Sequence, residues 1–244
     1  MPLKLGRLPA KRSLKSLALS NYLNMGAVAF PQTHAWERKI PYGMMANDRI
    51  GDCTCAAAGH MIMNWQAVAN AGSPVTIPDD QIIAAYSAIT GYDPASGAND
   101  NGANELDVLA YWQTTGIAGH KIAGKATLDI HNVDQIKAAT YLFGGVYIGF
   151  EVPAFIMEDT GNHNWGSMSG DTSIVGGHAV PVFGYGRGGC TNVSWGDLYH
   201  MSWDFWLQYC DEAYAIVSTD WLKQSAVSPS GLDLQGLIQD LTQV

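Results

Sequence analysis

From Gly51-Asp52 the chain turns and then reads Cys53-Thr54-Cys55-Ala56-Ala57-Ala58, six residues in a row no larger than threonine. Apolar residues at helical spacing follow (Met61, Ile62, Trp65, Val68), and Gly72-Ser73-Pro74 ends the pattern, so a helix is expected over about 53–71. First turns this bare let other elements approach closely. The cysteine at the helix N-terminus meets about half a positive charge from the helix dipole, which favours thiolate. Far downstream, Gly176-Gly177-His178-Ala179-Val180-Pro181-Val182-Phe183-Gly184-Tyr185-Gly186 puts a histidine at the head of an apolar strand. Brought together, Cys53 and His178 would form an ion pair and a nucleophile for covalent catalysis.

The remaining pattern divides in two. Helices are expected at Asp79–Thr90, behind Pro78-Asp79-Asp80, and at Glu105–Thr115 with Asn104 as N-cap; a polar Gly/Asn-rich loop over 91–104 joins them. Strands are expected at Gly119–Ala123 and Val146–Phe150 around a helix at Val133–Tyr141. After a loop over 159–177, further strands fall at His178–Tyr185, Thr191–Trp195 and Ala213–Ser218, with a short aromatic helix at Trp203–Tyr209. This is an α+β chain of two lobes: a helical lobe over 25–118 and a β-rich lobe over 119–224. An N-terminal arm covers 1–24, weakly helical from Ser13 to Leu23. A hinge at Ser228-Pro229-Ser230-Gly231 precedes an amphipathic C-terminal helix carrying Leu232, Leu234, Leu237, Ile238 and Leu241, within a tail over 225–244.

Charge is unevenly distributed. The net charge of −9 argues against a nucleic-acid binder. Yet residues 1–49 hold eight Lys/Arg against Glu37 and Asp48, while from 126 onward three bases face thirteen acids. The basic arm is expected to lie across the acidic body, and it raises a further expectation, that residues 1–24 cover the cleft as an inhibitory segment. Neither an apolar signal-peptide core nor a membrane-length apolar run is present, which points to a reduced cytoplasmic protein or one carried inside a viral particle. Of the four cysteines, Cys53 and Cys55 are too close to bridge, and Cys190 and Cys210 pair only if their strands are neighbours. No His-x-x-x-His or Cys-x-x-Cys spacing occurs, so neither metal nor cofactor is expected.

The order of these features resembles the papain-like cysteine peptidase superfamily, in a divergent bacterial or phage-type form. Gly51-Asp52-Cys53 is similar to the segment around the family's nucleophile. His178-Ala179-Val180 with Gly184-Tyr185-Gly186 resembles its histidine strand, and Ser194-Trp195-Gly196 resembles its Asn-Ser-Trp-Gly segment. The resemblance implies a two-lobed fold, a helical N-terminal lobe and an antiparallel β-barrel-like C-terminal lobe, with the site in the cleft between them. It also implies roles: Cys53 as nucleophile, His178 as base and then acid, Asn47 at the place of the oxyanion-hole glutamine, and Asn192 or Ser194 as the group orienting the imidazole. The substrate would be a peptide or amide, passing through a thioester. Cys55 is the reserve nucleophile.

Three positions differ from the family pattern. Thr54 replaces an aromatic residue, Asn47 is shorter than glutamine, and Val193 stands where the orienting asparagine belongs. They keep open a non-catalytic papain-like module acting as a structural or interaction protein, and a cysteine-dependent acyltransferase. The arm and the C-terminal helix are the candidate contacts for a homo-oligomer or a larger assembly.

Overall fold

The small-residue run starts the helix expected of it. In a computed structural model that describes residues 3–11, 18–19, 29–70, 75–158, 161–166, 169–222, 228–231, 233 and 238, helix α1 spans Cys53–Ala69 and buries every residue except Gln66. A helix enclosed on all sides needs short side chains where neighbours press closest. At Gly59 a Cβ would stand 2.5 Å from the Met45 sulfur and 2.8 Å from Ile82. Ile82 belongs to α2 (Asp79–Thr90), and α3 (Glu105–Thr114) completes the helical group.

The sheet is built from β2 (Ile122–Thr127), β3 (Val146–Pro153), β4 (Asn164–Trp165), β5 (Ile174–Tyr185), β6 (Gly189–Ser194), β7 (Asp197–Ser202) and β8 (Cys210–Ser218), in the order β2-β8-β3-β5-β6-β7-β4, with β1 (His34–Ala35) beside β5. Pairing is antiparallel except between β4 and β7. The sheet is open rather than a closed barrel. At its centre β3 and β5 pair Phe150 with His178 and Gly149 with Ala179, and α1 packs against β5. Helices α4 (Val133–Phe143), α5 (Ala154–Glu158) and α6 (Trp203–Tyr209) pack on the sheet.

The end of α4 shows how the tryptophans are used. Its last carbonyls have no partner within the helix. Indole N–H groups of Trp36, Trp221 and Trp65 donate to the carbonyls of Tyr141, Leu142 and Phe143 at 3.0, 2.9 and 3.0 Å, and Gly144 closes the helix at φ +72°. These bonds tie α1, the segment after β1 and the segment after β8 to one helix terminus.

Several expected boundaries moved. The strand expected at 119–123 starts at Ile122, because Ala118 and Gly119 take positive φ in a tight turn closed by Ile117 and His120. The loop expected to reach 177 ends at Ile174, where β5 begins. Strand β7 was not expected: Trp195 and Gly196, both at positive φ, return the chain as a hairpin pairing Ser194 with Asp197. Asn104 holds the N-cap position of α3 without a side-chain cap bond; its amide donates to the Pro9 carbonyl at 2.7 Å. All four cysteines are free. Of the helix expected over 13–23 only Ala18 and Leu19 are described, and Ala18 forms a β-bridge with Thr127; most of the C-terminal helix lies outside the described residues, although Ile238 packs against the core.

Candidate active site

The turn before α1 is fixed from a distance. Met45 and Ala46 adopt positive φ, and the N–H groups of Arg49 and Ile50 both donate to the Ala46 carbonyl. Asp100, in the loop between α2 and α3, accepts from the Gly51 N–H and from the Tyr86 hydroxyl at 2.9 Å each, while that hydroxyl accepts from Gly102 N–H. Asp100 thereby couples the approach to Cys53 to the opposite wall of the helical lobe. Sequence reading had assigned it only to a loop.

Cys53 and His178 come from different elements that pack together, α1 and β5. Gly6 of the arm lies against the Gly51 carbonyl, two residues before Cys53, and Arg7 N–H bonds Gly177, the residue before His178. On the histidine, Nε2 bonds Ser194 Oγ at 2.8 Å, and Nδ1 has no partner. Trp195 stacks on the imidazole at 4.4 Å and 17°, and Phe150 meets it edge-on at 5.8 Å. Between the two residues expected to orient the ring, the structure places Ser194 there. Asn192 is fully buried and makes no side-chain hydrogen bond, which corrects its reading as an orienter. Register gives the reason: Asn192 pairs with Val182, so Ser194 lies two residues nearer His178 along an antiparallel partner.

Asn47 is also committed elsewhere. Its amide donates to the Ile50 carbonyl at 3.2 Å within the turn, and it lies close enough to the Asp52 carboxyl to favour that group's ionised form. Asp52 is completely buried with both oxygens unpartnered, and burial pushes its pKa well above the usual range. Asp52 adds to burial in raising the Cys53 thiol pKa. It does not cap α1, since no side-chain cap bond forms.

Burial works against the expected thiolate. Burial pushes the Cys53 thiol up to about 12 and the His178 imidazole down to about 3, so both are neutral. Loss of solvent outweighs the helix dipole here. Cys55, fully enclosed, is shifted upward by burial as well.

The N-terminal arm lies along the site. Residues 4–8 run beside the site with one isolated β-bridge, Arg7 to Ala103; Lys4 N–H donates to Asn47 O, Arg7 N–H to Gly177 O, Leu8 N–H to Ala103 O and Ala103 N–H to Gly6 O. The indole of Trp195 donates to Lys4 O at 3.3 Å. The passage is cut to backbone width: a Cβ on Gly6 would collide with the Gly51 carbonyl, and one on Gly102 with the Gly6 carbonyl.

Arg7 anchors the arm. Its side chain is 2 % exposed, with Nη1 donating to Glu212 at 2.6 Å and Nη2 to both oxygens of Asp211 at 2.7 Å. Burial works against its charge, but Glu105, Asp211 and Glu212 outweigh that and raise its pKa. Arg7, Glu105, Asp211 and Glu212 were not singled out by sequence reading as site residues. The adjacent acids opening β8 were their only sequence signal.

No protein-family model matches the sequence, and neither does any curated protein. Solved structures do match. Xylellain, a cysteine protease from Xylella fastidiosa, aligns with a TM-score of 0.66 at 16% identity, covering 88% of this chain and 96% of that one. The chain has the papain-like fold. The Carica candamarcensis cysteine protease CMS1MS2 aligns at 0.55 and 15% identity over 77% of this chain and 98% of its own. Procathepsin L2 proteinase from Tenebrio molitor larval midgut gives 0.55 and 15% over 88% and 78%. In this papain-like chain the helix that begins with Cys53 packs against the strand that carries His178.

Proposed function

We propose that this chain is a cysteine-dependent peptidase or amidase held latent by its own N-terminal arm. The observation that carries the reading is the setting of His178: Nε2 engaged by Ser194, the ring face covered by Trp195, and Nδ1 free on the strand packed against Cys53. With Ser194 accepting, Nε2 holds the ring proton and Nδ1 keeps its lone pair, as a general base requires. The Cys53 thiol gives its proton to His178 and its sulfur attacks the substrate carbonyl. The imidazolium then protonates the departing amine, and water, deprotonated by the same ring, hydrolyses the thioester to a carboxylic acid and restores the thiol. The Cys53 N–H at the open start of α1 supplies an oxyanion donor. Asn47 contributes by building the turn. The cysteine proteases of like fold support the same chemistry.

The arm sets the resting state. While residues 4–8 lie along the site, thiol and imidazole stay dry and neutral. A full-length Gly6→Val chain cannot seat the arm, because its Cβ collides with Gly51. Its Cys53 is expected to react with iodoacetamide at pH 6 at least about tenfold faster than in the parent chain, as restored solvation lowers the thiol pKa. It is also expected to hydrolyse peptide amides, and Gly6→Val/Cys53→Ala is expected not to. Peptide mapping of the alkylated cysteines checks the first point and a fluorogenic peptide assay the second. Alkylation of Cys53 no faster than of Cys190 or Cys210, or hydrolysis that survives Cys53→Ala, overturns the reading.

A further inference from the structure

The arm's arginine fills a slot that has features of a binding site in its own right. Its floor is Glu212 and Asp211 at the start of β8, and its far wall is Glu105 at the start of α3. Two glycines make the room: a Cβ on Gly149 would stand 2.6 Å from Arg7 Cδ and 2.5 Å from Glu105 Oε1, and one on Gly177 would press the Arg7 carbonyl at 2.5 Å. Glu105 is completely buried and both its oxygens lack a hydrogen-bond partner, as does Arg7 Nε. The slot adjoins the Cys53 and His178 segments, because Gly6, next to Arg7, presses the Gly51 carbonyl and Arg7 N–H bonds Gly177, the residue before His178.

We propose that this slot selects an arginine side chain of the substrate, on the residue adjoining the one whose carbonyl Cys53 attacks; this rests on the cysteine-peptidase reading. Latency and specificity then share one pocket, and the arm is held by the contacts a substrate would use. A planar guanidinium suits two carboxylates side by side, which a leucine or a neutral urea does not.

Two measurements test it separately from catalysis and through catalysis. In full-length Arg7→Ala the slot loses its guanidinium whether or not the arm stays seated. Propylguanidinium is expected to raise the melting temperature of this variant, and propylurea, its neutral isostere, is not; Arg7→Ala/Glu212→Gln is expected to lose the response. Should Arg7→Ala fail to fold, Arg7→Gln serves in its place. In the Gly6→Val/Arg7→Ala chain, acyl-Arg-Gly-coumarylamide is expected to be cleaved with a kcat/KM at least about tenfold above that of the citrulline analogue. Equal response to propylguanidinium and propylurea, or equal cleavage of the two amides, overturns the proposal. Guanidinium selectivity without any cleavage would leave the slot standing and remove the peptidase reading instead.

Discussion

At the scale of single residues, the site is governed by carboxyl groups stripped of water. Asp52, directly before Cys53, is buried with neither oxygen hydrogen-bonded, and burial raises its pKa well above the ordinary carboxyl range. The linkage has a definite sign. The unfolded chain releases this proton near the ordinary value of 3.8, whereas the folded chain retains it, so folding loses stability as the pH climbs from that value toward the raised folded pKa. Asp52→Asn keeps the shape and removes the titration. Its urea midpoint is therefore expected to gain on the parent's progressively between about pH 4 and pH 7; parallel midpoints across that range would show that Asp52 is charged in the fold. Periodicity could not choose between Asn192 and Ser194, which share one face of β6, and only the register against β5 put the serine beside His178.

At the scale of elements, local signals succeeded where a segment carried its own punctuation. Helix α2 has the bounds read from the sequence, Asp79–Thr90, because an acidic first turn and a left-handed Gly91 mark both ends. Helix α6 was legible from its aromatic run, and Ser202 caps it by accepting from Phe205 N–H at 3.1 Å. Strand β7 was not legible, since its turn places Trp195 at φ +47°, a conformation a large residue seldom takes and no sequence signal announces. Long-range capping was equally invisible. Trp65 on α1 satisfies the Phe143 carbonyl at the end of α4, and a phenylalanine there would keep most of the packing while leaving that carbonyl orphaned in a dry place. Trp65→Phe is expected to cost about 1–3 kcal/mol in urea unfolding. It should leave the alkylation rate of Cys53 in the Gly6→Val chain unchanged, which distinguishes a structural bond from one that shapes the site.

At the scale of the whole molecule, the basic arm and the acidic body are two halves of one device. The charge asymmetry was plain in the sequence, but not which arginine goes inside, because a lone Arg7 differs in no local way from Lys11, which stays outside and pairs with Asp107 with both side chains 50 % exposed. The exposed pair is worth little, whereas removing one partner of the buried one leaves a charge stranded without water. Arg7 bonds the sheet through Asp211, Glu212 and Gly177, while its neighbours bond the helical lobe through Asn47 and Ala103, so the arm straps both sides of the cleft. Loss of this strap is therefore expected to weaken the fold. Arg7→Ala leaves Glu212 buried beside the already orphaned Glu105, and it is expected to lower unfolding stability by about 3–5 kcal/mol. If the loss comes from that abandoned charge, Glu212→Gln in the same chain removes it, and the double variant is expected to be more stable than Arg7→Ala alone. A double-mutant cycle in urea checks this at pH 7. Additive effects of the two substitutions would mean that Arg7 acts through its backbone strand, and that the carboxylates contribute nothing to closing the cleft.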